Sequence, residues 1–96
     1  MAIMGRLAGK IAFISGTGAG IGRAAAQVFA AEDATVFGCD LDADAAAETV
    51  ELVAKAGGVM RSLAPVDLST EAGAHEWIDA GIEALGGIDI LYNNAS

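Results

Sequence analysis

The sequence predicts an α/β domain built on a doubly wound parallel sheet, and three observations carry that prediction. Short apolar runs alternate with longer segments of helical spacing along the whole chain. A turn rich in glycine, "SGTGAGIG" from Ser15 to Gly22, joins the first apolar run to the first helical segment. The second apolar run ends on an aspartate, Asp40.

Lys10 to Ser15, "KIAFIS", is a continuous apolar run bounded by Gly9 and Gly16, the length of a strand buried on both faces (β1). From Ile21, "IGRAAAQVFAAED" places Ile21, Ala24, Ala25, Val28 and Phe29 at helical spacing in strongly helix-forming composition (α1). Thr35 to Asp40 is short, apolar and β-branched (β2). The next helix (α2) opens on Asp42 as its N-cap and stops before Gly57. Val59 to Asp67 supplies β3, with Pro65 near its end. A third helix (α3) runs from a Ser69 cap to Leu85, with Trp77, Ile78, Gly81, Ile82 and Leu85 as its inner face. Ile88 to Ser96 gives β4.

Such alternation implies right-handed crossovers, helices on the sheet faces and the spatial order 3-2-1-4. That order leaves β4 at an edge, and its "IDILYNN" is apolar and uncharged except for Asp89. A bare edge of this kind is expected to pair. Residues 1–96 are therefore expected to form one incomplete domain, about half of a larger one. Its remaining strands would come from a C-terminal portion of the same protein or from a separate chain.

Composition narrows the function. The chain has 96 residues, 54% of them hydrophobic, enough for one small core. Its net charge of -8 argues against nucleic acid and anionic membrane as partners, since both are polyanions. Cys39 is the single cysteine, which points to a reducing compartment and a cytoplasmic location. No apolar run is long enough for a signal peptide or a membrane span. Without a secretory signal, the triplet Asn94-Ala95-Ser96 is read as an accidental glycosylation sequon.

A glycine turn leading into a helix N-terminus suits an anion, because the first helical N–H groups lack partners and carry partial positive charge. In this reading Gly16 permits the tight turn, Gly20 lets a diphosphate approach the backbone, and Gly22 lets α1 pack closely. The competing reading is a turn chosen for packing alone. Asp40 weighs against it, since an acidic group at the end of β2 accepts hydrogen bonds from the two hydroxyls of an adenosine ribose. A strand-end aspartate could instead be solvated or cap α2. If Asp40 faces the ribose, a 2′-phosphate would meet its charge at short range, and neither Thr17, Gly18, Ala19 nor Leu41 offers a compensating cation. NAD is then favoured over NADP. The spacing is G-x-x-x-G-x-G rather than G-x-G-x-x-G, and no Lys-Ser or Lys-Thr follows, which excludes a P-loop.

These residues resemble the short-chain dehydrogenase/reductase family over nearly the whole chain. "SGTGAGIG" is similar to that family's T-G-x-x-x-G-I-G turn, with Ser15 in place of threonine and Gly16, Gly20, Ile21 and Gly22 at the matching positions. "LAGKIAFISG" resembles its entry into β1, "CDLD" its β2 end with Asp40 and Leu41, "VDL" its adenine-lining segment, and "NNAS" its N-N-A-G. The resemblance implies a Rossmann-like domain in which Asp67 holds the adenine amino group beside the Leu68 N–H. It also implies that Asn93 and Ala95 line the ribose. Ser96 departs from the family's glycine, and Asp33 stands where glycine is common after α1, a place aspartate tolerates in the left-handed conformation.

The family's catalytic Ser, Tyr and Lys follow the N-N-A-G motif, so no catalytic residue and no metal ligand is assigned here. Tyr92 has Ser96 four residues on rather than lysine, and is read as a core or edge residue. His75 is assigned to a solvated face of α3, Trp77 to the core or a subunit contact, and Cys39 to a buried position in β2. The implied function is the NAD(H)-binding portion of an oxidoreductase that moves hydride between the cofactor and an alcohol or ketone substrate. The complete protein is expected to be a homo-oligomer, a dimer or tetramer. The runner-up is a non-catalytic nucleotide-binding or interaction module. An S-adenosylmethionine methyltransferase would want an acidic residue just before the turn, where this chain has Ile14-Ser15.

Overall fold

A computed structural model describes residues 5–94. Ala95, the Ser96 departure and the end of the sequon lie outside the described residues. The element order is β1 (Ile11–Ser15), α1 (Gly20–Ala31), β2 (Thr35–Cys39), α2 (Ala43–Lys55), β3 (Val59–Leu63), α3 (Glu71–Leu85) and β4 (Ile90–Tyr92). All pairings are parallel and the sheet order is β3-β2-β1-β4. Ile14 stands beside Gly38 of β2 on one side and Tyr92 of β4 on the other.

Alternate residues of β1 and β2 serve two cores, as the period of a strand requires. Ile14 and Val36 pack with Ala26, Ala30, Val53 and Met60, beneath α1 and α2. Phe13, Phe37 and Cys39 pack with Val66 and Trp77, beneath α3. Trp77 is core, 3% exposed, with its ring 5.6 Å from Phe13 and 6.5 Å from Phe37, and its Nε1–H donates to the Gly38 carbonyl at 3.1 Å. Among the described residues no helix is long and apolar enough to cross a membrane.

Four local readings are corrected. Of the apolar residues spaced along α1, Ile21 is 67% and Val28 59% exposed, whereas Gly22, Ala26 and Ala30 are buried and Ala25 and Phe29 pack partly buried against the same core. Close approach of a helix to a sheet selects the smallest side chains at the contact, so volume rather than hydrophobicity picks the face. The cap of α3 is Thr70, which accepts from the Gly73 N–H at 3.0 Å, because Ser69 is already committed to the Asp67 carboxylate. On the same helix Ile82 is 41% exposed, so the buried stripe narrows to Trp77 and Gly81 with Ile78 and Leu85 against it. The strands are also shorter than predicted, β2 ending at Cys39, β3 at Leu63 and β4 at Tyr92. Asp33 does adopt the left-handed conformation, at φ 70°.

Candidate functional site

The glycine turn is fastened to the end of β2 by one carbonyl. The Cys39 oxygen accepts from the N–H groups of Gly16 at 2.9 Å and Thr17 at 3.1 Å, and from the Thr17 hydroxyl at 3.4 Å. Gly16 makes the bend at φ 69°, where a side chain is strained. A Cβ on Gly22 would lie 1.9 Å from the Gly16 carbonyl oxygen, so α1 starts in backbone contact with the turn. Gly20 is the opposite case: at φ 57° its missing Cβ faces open space with nothing within 4 Å.

The start of α1 differs from the other two helices in how its amides are treated. Asp42 caps α2 and Thr70 caps α3, each with an acidic residue in the first turn. Ala19 at the start of α1 makes no side-chain cap, and the first turn carries no acid. The amides at this end keep their capacity for an anion, and the helix dipole adds to it.

Asp40 follows β2 directly and does not cap α2, a task taken by Asp42. Its Oδ2 accepts from the Gly18 N–H at 2.8 Å and its Oδ1 from the Asp42 N–H at 2.9 Å. Each oxygen retains a further acceptor position, so the carboxylate is fixed without being saturated. It lines a cavity of about 500 Å³ together with Gly16, Leu41, Asp67, Leu68 and Ser69. Asp67 Oδ1 accepts from the Ser69 hydroxyl at 2.6 Å and N–H at 2.9 Å. The hydroxyl first, and then the N–H, hold this exposed carboxyl below its ordinary value, which keeps it charged and acceptor-only at neutral pH.

Five of the predicted residues, Gly16, Asp40, Leu41, Asp67 and Leu68, thus meet around one cavity. Asn93 lines a neighbouring one of about 220 Å³ with Trp77 and Leu91, and Leu68 belongs to both. Ser15 is fully buried; its hydroxyl donates to Asn93 Oδ1 at 3.0 Å and accepts the Asn94 N–H at 2.8 Å, which ties the ends of β1 and β4 together. Gly20 and Ile21 stand at the open start of α1. Sequence reasoning missed Ser69, for which the D-x-S spacing after β3 was a usable signal. It also missed Arg23 and Thr49, which hold the turn from α1 and α2.

Cys39, whose side chain lies beneath this rim, has its thiol pushed from 9.0 up to about 11, by burial first and by the nearby Asp40 charge, with the Gly16 N–H working against them. The thiol leaves stability untouched below the ordinary thiol range. As pH rises from there toward about 11 the unfolded chain loses this proton first, and stability falls. Native protein at pH 8 is expected to resist iodoacetamide at Cys39 and to label readily once unfolded in guanidinium, as read by mass spectrometry.

A parallel sheet in this order, with a glycine turn and a strand-end carboxylate at the C-terminal ends of its strands, defines a Rossmann-like nucleotide-binding fold. Comparison with known proteins makes the assignment specific: residues 10–96 match the family described as short chain dehydrogenase, and the chain belongs to that family. It is 45% identical to the Bacillus subtilis oxidoreductase YxbG, over 96% of this chain and 33% of that protein. Among solved structures it is similar to carveol dehydrogenase from Mycobacterium avium in complex with NAD, with TM-score 0.89 and 32% identity, covering 97% of this chain and 38% of that chain. It is similar also to a 7α-hydroxysteroid dehydrogenase complexed with NADH and 7-oxo glycochenodeoxycholic acid, with TM-score 0.86 and 40% identity, covering 90% of this chain and 33% of that chain. The chain spans about a third of the length of these relatives.

Proposed function

We propose that the chain is the NAD(H)-binding portion of a cytoplasmic, homo-oligomeric short-chain dehydrogenase/reductase acting on an alcohol or ketone. The Ser, Tyr and Lys that would handle the substrate proton belong to sequence beyond Asn94-Ala95-Ser96. The observation that carries this reading is the Asp40 carboxylate, fixed by the Gly18 amide at the edge of a cavity of about 500 Å³ and retaining acceptor capacity. The residues present fit the cofactor. The uncapped amides of α1 and the open space before Gly20 suit a diphosphate, Asp40 suits two vicinal hydroxyls, and the Asp67 and Leu68 segment suits an adenine. When bound, the nicotinamide supplies hydride chemistry; this chain's residues orient the nucleotide and set its identity. The longer oxidoreductases to which the chain is similar favour the enzyme over a non-catalytic module.

The preference for NAD over NADP follows from charge. Asp40 repels a 2′-phosphate, and the one nearby guanidinium, Arg23, is engaged at Nε, Nη1 and Nη2. The full-length protein is expected to bind NADH at least about tenfold tighter than NADPH, the worth of one charge-assisted hydrogen bond. Energy transfer from Trp77, the only tryptophan of this chain, to the reduced nicotinamide at fixed salt provides the titration. Asp40→Ala combined with Leu41→Arg should narrow or reverse the preference, and equal affinities in the unsubstituted protein would reject the assignment.

A further inference from the structure

Next to the glycine turn, α1 and α2 contribute a chain of hydrogen bonds. Arg23 donates from Nε to Thr49 Oγ1 at 2.9 Å, from Nη1 to Glu48 Oε1 at 3.0 Å, and from Nη2 to the carbonyls of Gly18 at 2.6 Å and Ala45 at 3.2 Å. Thr49 is fully buried, and its hydroxyl donates to the Thr17 carbonyl at 2.6 Å. That carbonyl and the Gly18 N–H are the two ends of one peptide group. The N–H end donates to Asp40 Oδ2 at 2.8 Å.

A continuous relay therefore runs from the Arg23 cation through the Thr49 hydroxyl and the Thr17–Gly18 peptide to the Asp40 anion. Every donor points the same way along it, from positive to negative charge, so each bond polarises the next. The peptide plane is held at both ends, and its glycine leaves no room for a side chain between Asp40 and α2: a Cβ on Gly18 would lie 2.9 Å from the Asp40 carboxylate and 2.9 Å from Ala45 Cβ.

We infer that Thr49 and Arg23 are positioning residues for cofactor choice. They fix the amide that aims Asp40, and so control discrimination between a free ribose 2′-hydroxyl and a 2′-phosphate without touching the nucleotide. The inference rests on the proposed role of Asp40. Neither residue lines the cavity, and the exposed Glu48 contact is incidental to the relay.

The full-length protein should be titrated with NADH and NADPH as the unsubstituted form and as Thr49→Val, Thr49→Ser and Arg23→Lys. Thr49→Val keeps the volume but removes the hydroxyl. It is expected to weaken NADH binding about tenfold and to change NADPH binding less than about twofold, the signature of a loosened carboxylate rather than a damaged fold. Thr49→Ser restores the hydroxyl and should return the ratio to within a factor of about two. Arg23→Lys keeps the charge but cannot span Thr49 and Gly18 together, and should contract the ratio in the same direction. It carries the test if Thr49→Val does not fold. A thermal melt lowered in both variants, with NADH and NADPH weakened in parallel and their ratio kept, overturns the inference while leaving the NAD assignment standing. Failure of the unsubstituted protein to distinguish the two nucleotides overturns both.

Discussion

Gly22→Ala is expected to lower stability by about 3 kcal/mol or more and to remove NAD(H) binding with it, a larger effect than most single methyl additions. The added Cβ would sit 1.9 Å from the Gly16 oxygen and 2.8 Å from Asn94 Nδ2, and the first of these is backbone that the Cys39 carbonyl already pins. The strain can be relieved only by moving α1 off the turn, which separates the open amides from Asp40. Gly20→Val, two residues away, is the control. A Cβ there meets no atom within 4 Å, and the left-handed backbone costs about 1–2 kcal/mol or somewhat more for a β-branched residue, so the fold should persist while the space before the helix is filled. Circular dichroism melts and NADH titration of both variants check the pair. A Gly22→Ala protein with an unchanged melt, or a Gly20→Val protein that binds NADH normally, would contradict the geometry.

Trp77→Ala is expected to destabilise the domain by about 3–5 kcal/mol, the range for emptying a large aromatic site. Three separate losses converge at this position. The ring stacks on Phe37 at an interplanar angle of 14° and meets Phe13 at 50°. Its Nε1–H satisfies the Gly38 carbonyl, which would lose that donor. It also walls the smaller cavity beside Asn93. Trp77→Phe should recover much of the packing but not the hydrogen bond, leaving a deficit of about 1–2 kcal/mol in a chemical denaturation series. Equal stability of the phenylalanine variant and the parent would show the hydrogen bond to contribute nothing net.

The parts legible in the sequence were those governed by short-range rules. Strands buried on both faces leave unbroken apolar runs, Asp42 announces its helix as a cap, and glycines 16, 20 and 22 announce a turn next to a helix start. Asp40 drew notice by its place at the end of β2, and Asp67 and Leu68 through the resemblance of "VDL" to the family's segment; the structure gathers all three with Gly16 around one cavity. The supporting shell was not legible. Thr49 sits in mid-helix with nothing local to distinguish it from a surface threonine, and its meaning arises only when α2 packs 32 residues away against Thr17. The spacing along α1 took in Ile21 and Val28, which are exposed, together with Ala25 and Phe29, which pack on the core: helical periodicity reports which residues are apolar, whereas the distance to the sheet decides which are small enough to touch it most closely. The cap of α3 moved one residue because the Ser69 hydroxyl is taken up by the Asp67 carboxylate, which leaves Thr70 to accept from the Gly73 N–H.

The stripe of Gly22, Ala26 and Ala30 makes α1 a spacer of fixed thickness. One helix face both rests on Ile14 and Val36 and carries the open amides at its tip, so the height of the whole rod above the sheet sets the depth of the site. A residue such as Ala30, at the far end of the helix from the turn and packed on Ile14, Val36 and Val53, is then placed as a shim is under a lever. Enlarging it is expected to press the rod off the sheet unless the cavity of about 60 Å³ beside it takes up the added volume, while a change at the outward Val28, 59% exposed, is expected to leave the rod where it lies. Within α1, a position's reach over the site is set by the side on which it lies and not by its distance from it.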